Sequence, residues 1–183
     1  ASAPSAVVDS GRPALRAAVA QIVERASGNP FFAEELVHAL IEAQTDSDAP
    51  DYLDQVVRAL PPTVEAVIAE RIDRLVETQK SLLQMCAVIG KEIPLAVLQQ
   101  VAVYLAHQLE WGLDGLCEAE MLELLREIAG GRRFAFRHPL IQEVAYGTQL
   151  KARRAELHGA VAVAMEQHYH AQPDEFAALI AFH

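Results

Sequence analysis

The stretch GGRRFAFRHPLIQEVAY (residues 130–146) decides how the C-terminal part of the chain folds. Two consecutive glycines favour a tight hairpin turn. The residues that follow alternate, with Phe134 and Phe136 on one face, which is typical of a half-buried strand. Pro139 then suits the first position of a helix. The stretch therefore predicts a two-stranded hairpin at about residues 124–137, followed directly by a helix.

Patterns with a helical period surround this hairpin on both sides. Downstream, residues 151–168 are expected to form a long amphipathic helix. Upstream, Gly28 suits the end of one helix, and Asn29 and Thr63 suit the caps of the next ones. The upstream helices are predicted at about residues 13–26, 30–43, 63–75, 78–89, 94–103 and 105–117. The expected buried faces are Leu15, Val19, Ile22 and Val23 in the first helix, Leu36, Val37, Leu40 and Ile41 in the second, and Leu157, Val161, Ala164 and Met165 in the last.

The chain is therefore expected to be mainly α, with a helical subdomain followed by a winged-helix subdomain that contains one small β-hairpin. Residues 1–12 are predicted to be a flexible leader, and residues 13–44 the helical subdomain. The polar stretch AQTDSDAPDY suggests a linker over residues 45–59. The winged-helix-like part would then cover residues 60–168, and both ends of the chain suggest a fragment of a longer protein.

Composition narrows the function classes. The 183 residues are 52% hydrophobic and carry a net charge of -10, so the chain can form a core and lacks the basic surface of a typical nucleic-acid or anionic-membrane binder. No apolar run reaches the ~18 residues of a membrane span, and no signal peptide begins the chain. Cys86 and Cys117 are expected to be reduced core residues. These features predict a cytoplasmic protein with no membrane partner, for which DNA is an improbable ligand.

Catalytic motifs are missing from the sequence. The segment VIGKE contains Gly90-Lys91, but Met85 stands where a Walker A loop needs its first glycine, and Glu92 replaces the magnesium-binding Ser or Thr. The segment HYH (His168 to His170) fits a solvated helix end better than a metal site. We expect no catalytic residue and no metal in this chain, which would not be an enzyme by itself.

Two short stretches remain as candidate binding residues. The first is Gly28-Asn29-Pro30, a tight joint between helices with Phe31 and Phe32 expected in the core beneath it. The second is Arg137-His138, at the junction of a strand and a helix. An arginine, an imidazole and a helix N-terminus together suit an anion such as phosphate. The alternative is a histidine that only caps the helix, and spacing alone favours it.

Four blocks carry a family resemblance: IVERASGNPFFAEELVHALIE, LPPTVEAVIAERIDRL, LLQMCAVIGKEIPLAVL and RFAFRHPLIQEVAYGTQLKARRAELHGAVAVAME. In this order they closely resemble the C-terminal half of the nucleotide-binding module in STAND-class AAA-type ATPases. The most similar members look like bacterial multidomain regulators with class III adenylate/guanylate cyclase, protein kinase or LuxR-type domains. The resemblance covers nearly the whole chain from about residue 13.

The resemblance implies a set of roles. Residues 169–183 would begin a region of tetratricopeptide-like (TPR-like) repeats. Gly28-Asn29-Pro30 would match the motif that packs against the adenine of ADP or ATP, with Pro30 as the contact. Arg137-His138-Pro139 would match the motif whose histidine reads the β-phosphate of ADP, with Pro139 in the place of the family's aspartate. The ADP/ATP cofactor would belong to the full-length parent and would not bind this fragment tightly.

The partners implied are a nucleotide-binding core before residue 1 and the repeats after residue 183, both in the same polypeptide, with other proteins as further partners. The resemblance thus predicts a regulatory fragment that senses ADP against ATP. Two alternatives remain: a winged-helix DNA-binding transcriptional regulator, and a protein-interaction scaffold without a nucleotide role.

Overall fold

The protein is mainly helical and contains one small three-stranded antiparallel sheet. The computed structural model describes residues 11–43, 52–128, 131–170 and 173–183. The chain divides into two compact units between Arg71 and Ile72. Most of the predicted leader and residues 45–51 of the predicted linker lie outside the described residues. Residues 52–59 of that linker form a helix.

The first unit is built from helices, and amphipathic patterns place them. Its described elements are α1 (Gly11–Ala26), α2 (Pro30–Ala43), α3 (Tyr52–Ala59) and α4 (Val64–Arg74), and the division between the units falls within α4. Thr63 caps α4 as predicted, since its Oγ1 accepts a hydrogen bond of 3.2 Å from the N–H of Ala66. Buried side chains from all four helices, together with Leu60 just after α3, form one core cluster: Ala18, Ile22, Phe32, Leu36, Ala39, Leu40, Val57, Leu60 and Val67.

The prediction of the buried face of α1 is wrong, because the structure buries a different side of this helix. Among the four residues expected inside, only Ile22 is buried, while Leu15, Val19 and Val23 are more than half exposed. Ala18 and Ala26 are buried with Ile22 instead, and their spacing of four residues places all three on one face of the helix. In α2, likewise, Leu36 and Leu40 are buried as expected, but Val37 and Ile41 are exposed.

Arg25 holds the C-terminal end of α3 in place. Its guanidinium donates hydrogen bonds to the carbonyl oxygens of Val57, Leu60 and Pro61, the last at 3.0 Å. The last carbonyls of a helix have no partner within the helix, and they carry partial negative charge. One side chain of α1 thus satisfies carbonyls that the end of α3 leaves open.

The second unit contains the sheet. Its elements after α4 are α5 (Glu77–Ile89), β1 (Glu92–Pro94), α6 (Leu95–Val101), a 3-10 helix (Val103–Gln108), α7 (Leu109–Glu118), β2 (Leu122–Ile128), β3 (Gly131–Phe136), α8 (Pro139–Gly147), α9 (Lys151–His168) and α10 (Pro173–Phe182). The long helix α9 has the predicted bounds, and the four side chains expected inside are all buried.

The predicted hairpin is confirmed as β2 and β3, with Gly131 at a φ of 102° that favours glycine. Phe134 and Phe136 are buried, as the alternating pattern predicts. The sheet nevertheless has three strands, in the order β1-β3-β2, where the sequence predicts two. The predicted helix over residues 94–103 is also shorter, since Pro94 ends β1. Ile93 pairs with Phe134, and this pairing across the chain makes residues 92–94 a strand.

Helix α7 presents an acidic face to solvent. Leu109, Gly112, Leu113 and Leu116 are buried, whereas Glu110, Trp111, Asp114 and Glu118 are exposed. The exposed four lie within about 100° of one another around the helix, at 100° per residue. Trp111, the one tryptophan of the sequence, is 57% exposed there. The outer face of α7 therefore combines three carboxylates with a large aromatic ring.

Candidate functional site

The corner between α1 and α2 contains the first predicted group, Gly28-Asn29-Pro30. Ser27 and Gly28 have positive φ angles of 47° and 82°, which turn the chain after Ala26. The N–H of Asn29 donates to the carbonyl of Ala26 at 2.8 Å. No atom lies within 4 Å of the position that a Cβ on Gly28 would take, so the backbone angle is what favours glycine there.

The second half of the corner starts α2. Oδ1 of Asn29 accepts a hydrogen bond of 3.2 Å from the N–H of Phe32, so Asn29 is the expected N-cap. Pro30 occupies the first helical position and is exposed. Phe32 is buried, as expected, whereas Phe31 is only half-buried. The corner thus presents Pro30 on a rigid, solvent-accessible turn.

Helix α8 begins at the second predicted group. His138 has the extended angles φ -144° and ψ 142° that the following proline favours. Its Nδ1 accepts a hydrogen bond of 3.1 Å from the N–H of Leu140. An accepting Nδ1 has no hydrogen, so in the neutral ring the proton is on Nε2. His138 therefore caps α8 with one nitrogen and is an N–H donor with the other.

Arg137 is oriented by an ion pair. Its Nη2 lies 3.3 Å from Oε2 of Glu120, and both side chains are partly exposed. Its backbone N–H donates to the carbonyl of Met121 at 3.3 Å. Glu120 has a φ of 55°, in the left-handed region that is unfavourable for a residue with a Cβ. This ion pair joins the end of the hairpin to the turn before β2, and sequence reasoning missed it.

The two predicted groups lie in different units, Gly28-Asn29-Pro30 in the first and Arg137-His138 in the second. The first unit also contains an ion pair that the sequence did not reveal. Oε2 of Glu35 lies 2.6 Å from Nη1 of Arg71, and the two residues are 3% and 2% exposed. The apolar spacing of α2 and α4 gives no sign that two charged residues on these helices meet in the interior.

A third group joins three rings around a cavity of 310 Å³ in the second unit. The hydroxyl of Tyr146 lies 3.0 Å from Nε2 of His158, and Nδ1 of His158 lies 2.8 Å from Nδ1 of His183. Burial, together with the charge of Arg154, lowers the pKa of His158. Burial and the neighbouring His158 lower the pKa of His183, against the effect of the Ile89 backbone. From the sequence these histidines are merely scattered.

The segment HYH forms local contacts. The ring of His168 packs edge-on against Tyr169 with a centroid distance of 4.6 Å, and Nδ1 of His170 lies 2.9 Å from the carbonyl oxygen of Gln167. Cys86 is buried as expected, whereas Cys117 is only half-buried, and both are free thiols. Among the described residues, no helix is both long and apolar enough to cross a membrane.

This chain is distantly similar to a much longer bacterial protein. The chain is 30% identical over 149 residues to the uncharacterized protein R02095 of Rhizobium meliloti (strain 1021). The match covers 79% of this chain but only 14% of that protein, so the chain corresponds to a small part of a much longer polypeptide. No family model matches the sequence, and no solved structure matches it.

Proposed function

We propose that this chain is the nucleotide-state-sensing part of a STAND-class ATPase, a regulatory fragment that is not catalytic alone. It would couple ADP or ATP, bound by a P-loop core elsewhere in the parent protein, to an effector domain. In this proposal the second unit is a winged helix, α10 begins the TPR-like repeats, and the parent protein is cytoplasmic. The length of the Rhizobium relative, of which the chain spans 14%, is in keeping with a multidomain parent.

The order of elements in the second unit supports the winged-helix assignment. The helix α5 precedes β1, the helices α6 and α7 with the 3-10 helix between them separate β1 from the hairpin, and the last strand, β3, is the middle of the sheet. This is the arrangement of a three-helix module that has a hairpin wing. On the outer face of α7, the helix just before the hairpin, Glu110 is paired with Arg132, and the carboxylates of Asp114 and Glu118 would repel phosphates. This supports a regulatory role in place of DNA binding.

The observation that carries the proposal is the hydrogen bonding of His138. Since Nδ1 accepts from the N–H of Leu140, the hydrogen of the neutral ring is on Nε2, and in the proposed complex this N–H donates to a phosphate oxygen in exchange for its contacts within the chain. The cap also orients the ring at the N-terminus of α8, where the helix dipole favours an anion. A histidine oriented in this way can donate a hydrogen bond to a phosphate in its neutral form.

The corner at Gly28-Asn29-Pro30 would supply the adenine contact. The turn is fixed by two positive φ angles and by the Asn29 cap, so Pro30 is presented at a constant angle. An exposed proline ring offers a flat apolar surface to a base. ADP would then bridge the P-loop core and His138 in the closed state, and exchange for ATP would release the lid.

The test is carried out in the full-length parent protein with two substitutions. His138→Asn keeps a side-chain oxygen that can cap α8 but removes the imidazole N–H, whereas His138→Ala removes both. We expect both variants to bind ADP about 10- to 100-fold more weakly, the range for losing a hydrogen bond to a charged group. Basal output should also rise in both. Unchanged ADP affinity in His138→Asn, measured by calorimetry, would remove the proposed role of His138.

A second candidate, the protein-interaction scaffold, is favoured by the exposed aliphatic side chains of the first unit. Leu15, Val19 and Val23 follow one another at helical spacing on α1, and each is more than half exposed. Apolar stripes of this kind are typical of surfaces that another protein covers. An intact Walker A loop in the preceding part of the parent would disfavour a scaffold without a nucleotide role.

A further inference from the structure

The three rings of Tyr146, His158 and His183 connect α8, α9 and the end of α10 through two hydrogen bonds. The two imidazole centroids are 5.0 Å apart, and the ring of Phe182 packs edge-on against both imidazoles, at 6.1 Å from His158 and 5.3 Å from His183. The cavity beside them is walled by uncharged residues of α5. The end of α10 is thus held against α8 and α9 by two consecutive hydrogen bonds, within a contact that is otherwise apolar.

The two hydrogen bonds limit how many protons the three rings can carry while they stay in contact. Each of the two short contacts has room for one hydrogen. One additional proton makes one ring an imidazolium, which can still donate from its Nδ1 to the lone pair on the other Nδ1. With a second additional proton both Nδ1 atoms carry hydrogens that point at each other across 2.8 Å, and two cations face each other.

The charged groups around the two histidines affect the free energy of binding this second proton. On α9, Arg154 lies with its guanidinium carbon 4.7 Å from the centroid of the Tyr146 ring, and it disfavours another positive charge. On α8, Glu143 lines the cavity and favours one. The wall contributed by the end of α5 and the following Gly90 has no charged side chain. The helix α6, which also packs on α9, has no titratable side chain. Burial and Arg154 together make the doubly protonated pair costly while the rings stay in contact.

We propose that His158 and His183 form a proton-gated latch, which holds α10 on α8 and α9 while at most one extra proton is bound and releases it when both rings are protonated. The protons come from solvent and no other reactant is needed. Because α10 is the last helix described, release changes how the chain leaves the second unit while the sheet and α5 keep their packing. The latch requires no bound nucleotide.

Hydrogen exchange of the 183-residue chain between pH 7.5 and pH 5 tests the latch. Rates are corrected for the intrinsic pH dependence, and amides of α5 serve as an internal reference. Once the second proton controls opening, exchange in α10 should increase about tenfold for each pH unit while α5 stays protected. In His183→Phe, which keeps a ring but cannot be protonated, α10 should remain protected throughout.

Two further variants show whether the effect belongs to the His158–His183 pair. His170→Phe removes an exposed histidine of the same unit and should retain the pH response of the wild type. If His183→Phe does not fold, His158→Phe provides the same comparison from the other side of the pair. The latch is overturned if α10 exchange in the wild type is independent of pH, if α10 and α5 open together, or if the phenylalanine variant responds like the wild type.

Discussion

The carboxylate of Glu35 and the guanidinium of Arg71 meet at 2.6 Å in the interior of the first unit, where neither residue is more than 3% exposed. The pair connects α2, which follows the Gly28-Asn29-Pro30 corner, to α4. Removing one partner from such a pair leaves the other charge buried without its 2.6 Å counter-ion. The orientation of α2, and with it the angle at which Pro30 is presented, therefore depends on both residues together.

Substitution of either partner should destabilise the chain strongly. We expect Glu35→Ala and Arg71→Ala each to lower the free energy of unfolding by about 3–5 kcal/mol. The double variant Glu35→Leu/Arg71→Met should recover most of that loss, because neither of the two charges is then left buried. Urea unfolding measures these values. The exposed pair Lys80–Asp73 is the control, since Lys80→Ala should cost no more than about 1 kcal/mol. Equal costs for the two pairs would contradict this account.

Two glycines of α7 should respond oppositely to alanine. A Cβ on Gly112 would lie 2.4 Å from Cδ1 of the fully buried Leu82, so Gly112→Ala should cost about 1–3 kcal/mol by overpacking. A Cβ on Gly115 would meet the amide nitrogen of Gln79, the end of a flexible side chain that can move away. Gly115→Ala should therefore be neutral or stabilise by up to about 1 kcal/mol, through helix propensity. Thermal unfolding of both variants checks the difference in sign.

The contribution of His138 to stability, through its cap of α8, should be measurable separately from any role in binding a ligand. In the isolated chain, His138→Ala leaves the N–H of Leu140 without its acceptor and should cost about 1 kcal/mol. His138→Asn should cost much less, because an asparagine oxygen is a good N-cap acceptor. Chemical denaturation of the isolated chain gives both numbers. Equal losses in the two variants would mean that the imidazole is needed for packing and not only for the cap.

The two cysteines should differ in reactivity. Burial raises the pKa of the Cys86 thiol to about 12, so almost none of it is thiolate at neutral pH. Burial and Asp114 also raise the pKa of Cys117, while Arg132 acts in the opposite direction. A thiol reagent at pH 8 should label Cys117 slowly in the folded chain and label Cys86 only after denaturation. Mass spectrometry of the labelled chain, with Cys117→Ser as the control, distinguishes the sites.

Stability should fall on mild acidification because of the imidazole pair. Burial lowers the pKa of His158 and His183 in the folded chain below the ordinary 6.5. Below about pH 6.5 the unfolded chain takes up protons that the folded chain does not, so the free energy of unfolding decreases as the pH falls. The double variant His158→Phe/His183→Phe should show a shallower decrease between pH 7.5 and pH 5.5. Equal slopes in the double variant and in the wild type would contradict this account.

Sequence reasoning succeeded where local pattern and packing agree. The bounds and the buried side of α9 were predictable because four inward residues repeat at helical spacing over a long segment. The β2–β3 hairpin was predictable from the glycines and the two alternating phenylalanines. The N-caps at Asn29 and Thr63 were predictable because they depend only on neighbours along the chain.

The failures share a different cause. The strand β1 is three residues long and exists because Ile93 pairs with Phe134, a partner that no local window contains. The buried side of α1 carries the small residues Ala18 and Ala26, while hydrophobicity alone favours leucine and valine. In the candidate sites, the extended angles at His138 could be predicted from the following proline. The ion pairs Glu35–Arg71 and Arg137–Glu120 could not, since each depends on how distant segments meet.

The central strand of the sheet is also the last of the three to be synthesised. While the chain leaves the ribosome, β1 emerges early and has no edge to pair with, and Ile93 stays uncovered until Phe134 arrives. Domains fold largely as units during synthesis, and exposed apolar strand segments invite misassembly. Translation must therefore pass residue 136 before the second unit can close, and a polypeptide that stops earlier would present Ile93 to chaperones and proteases.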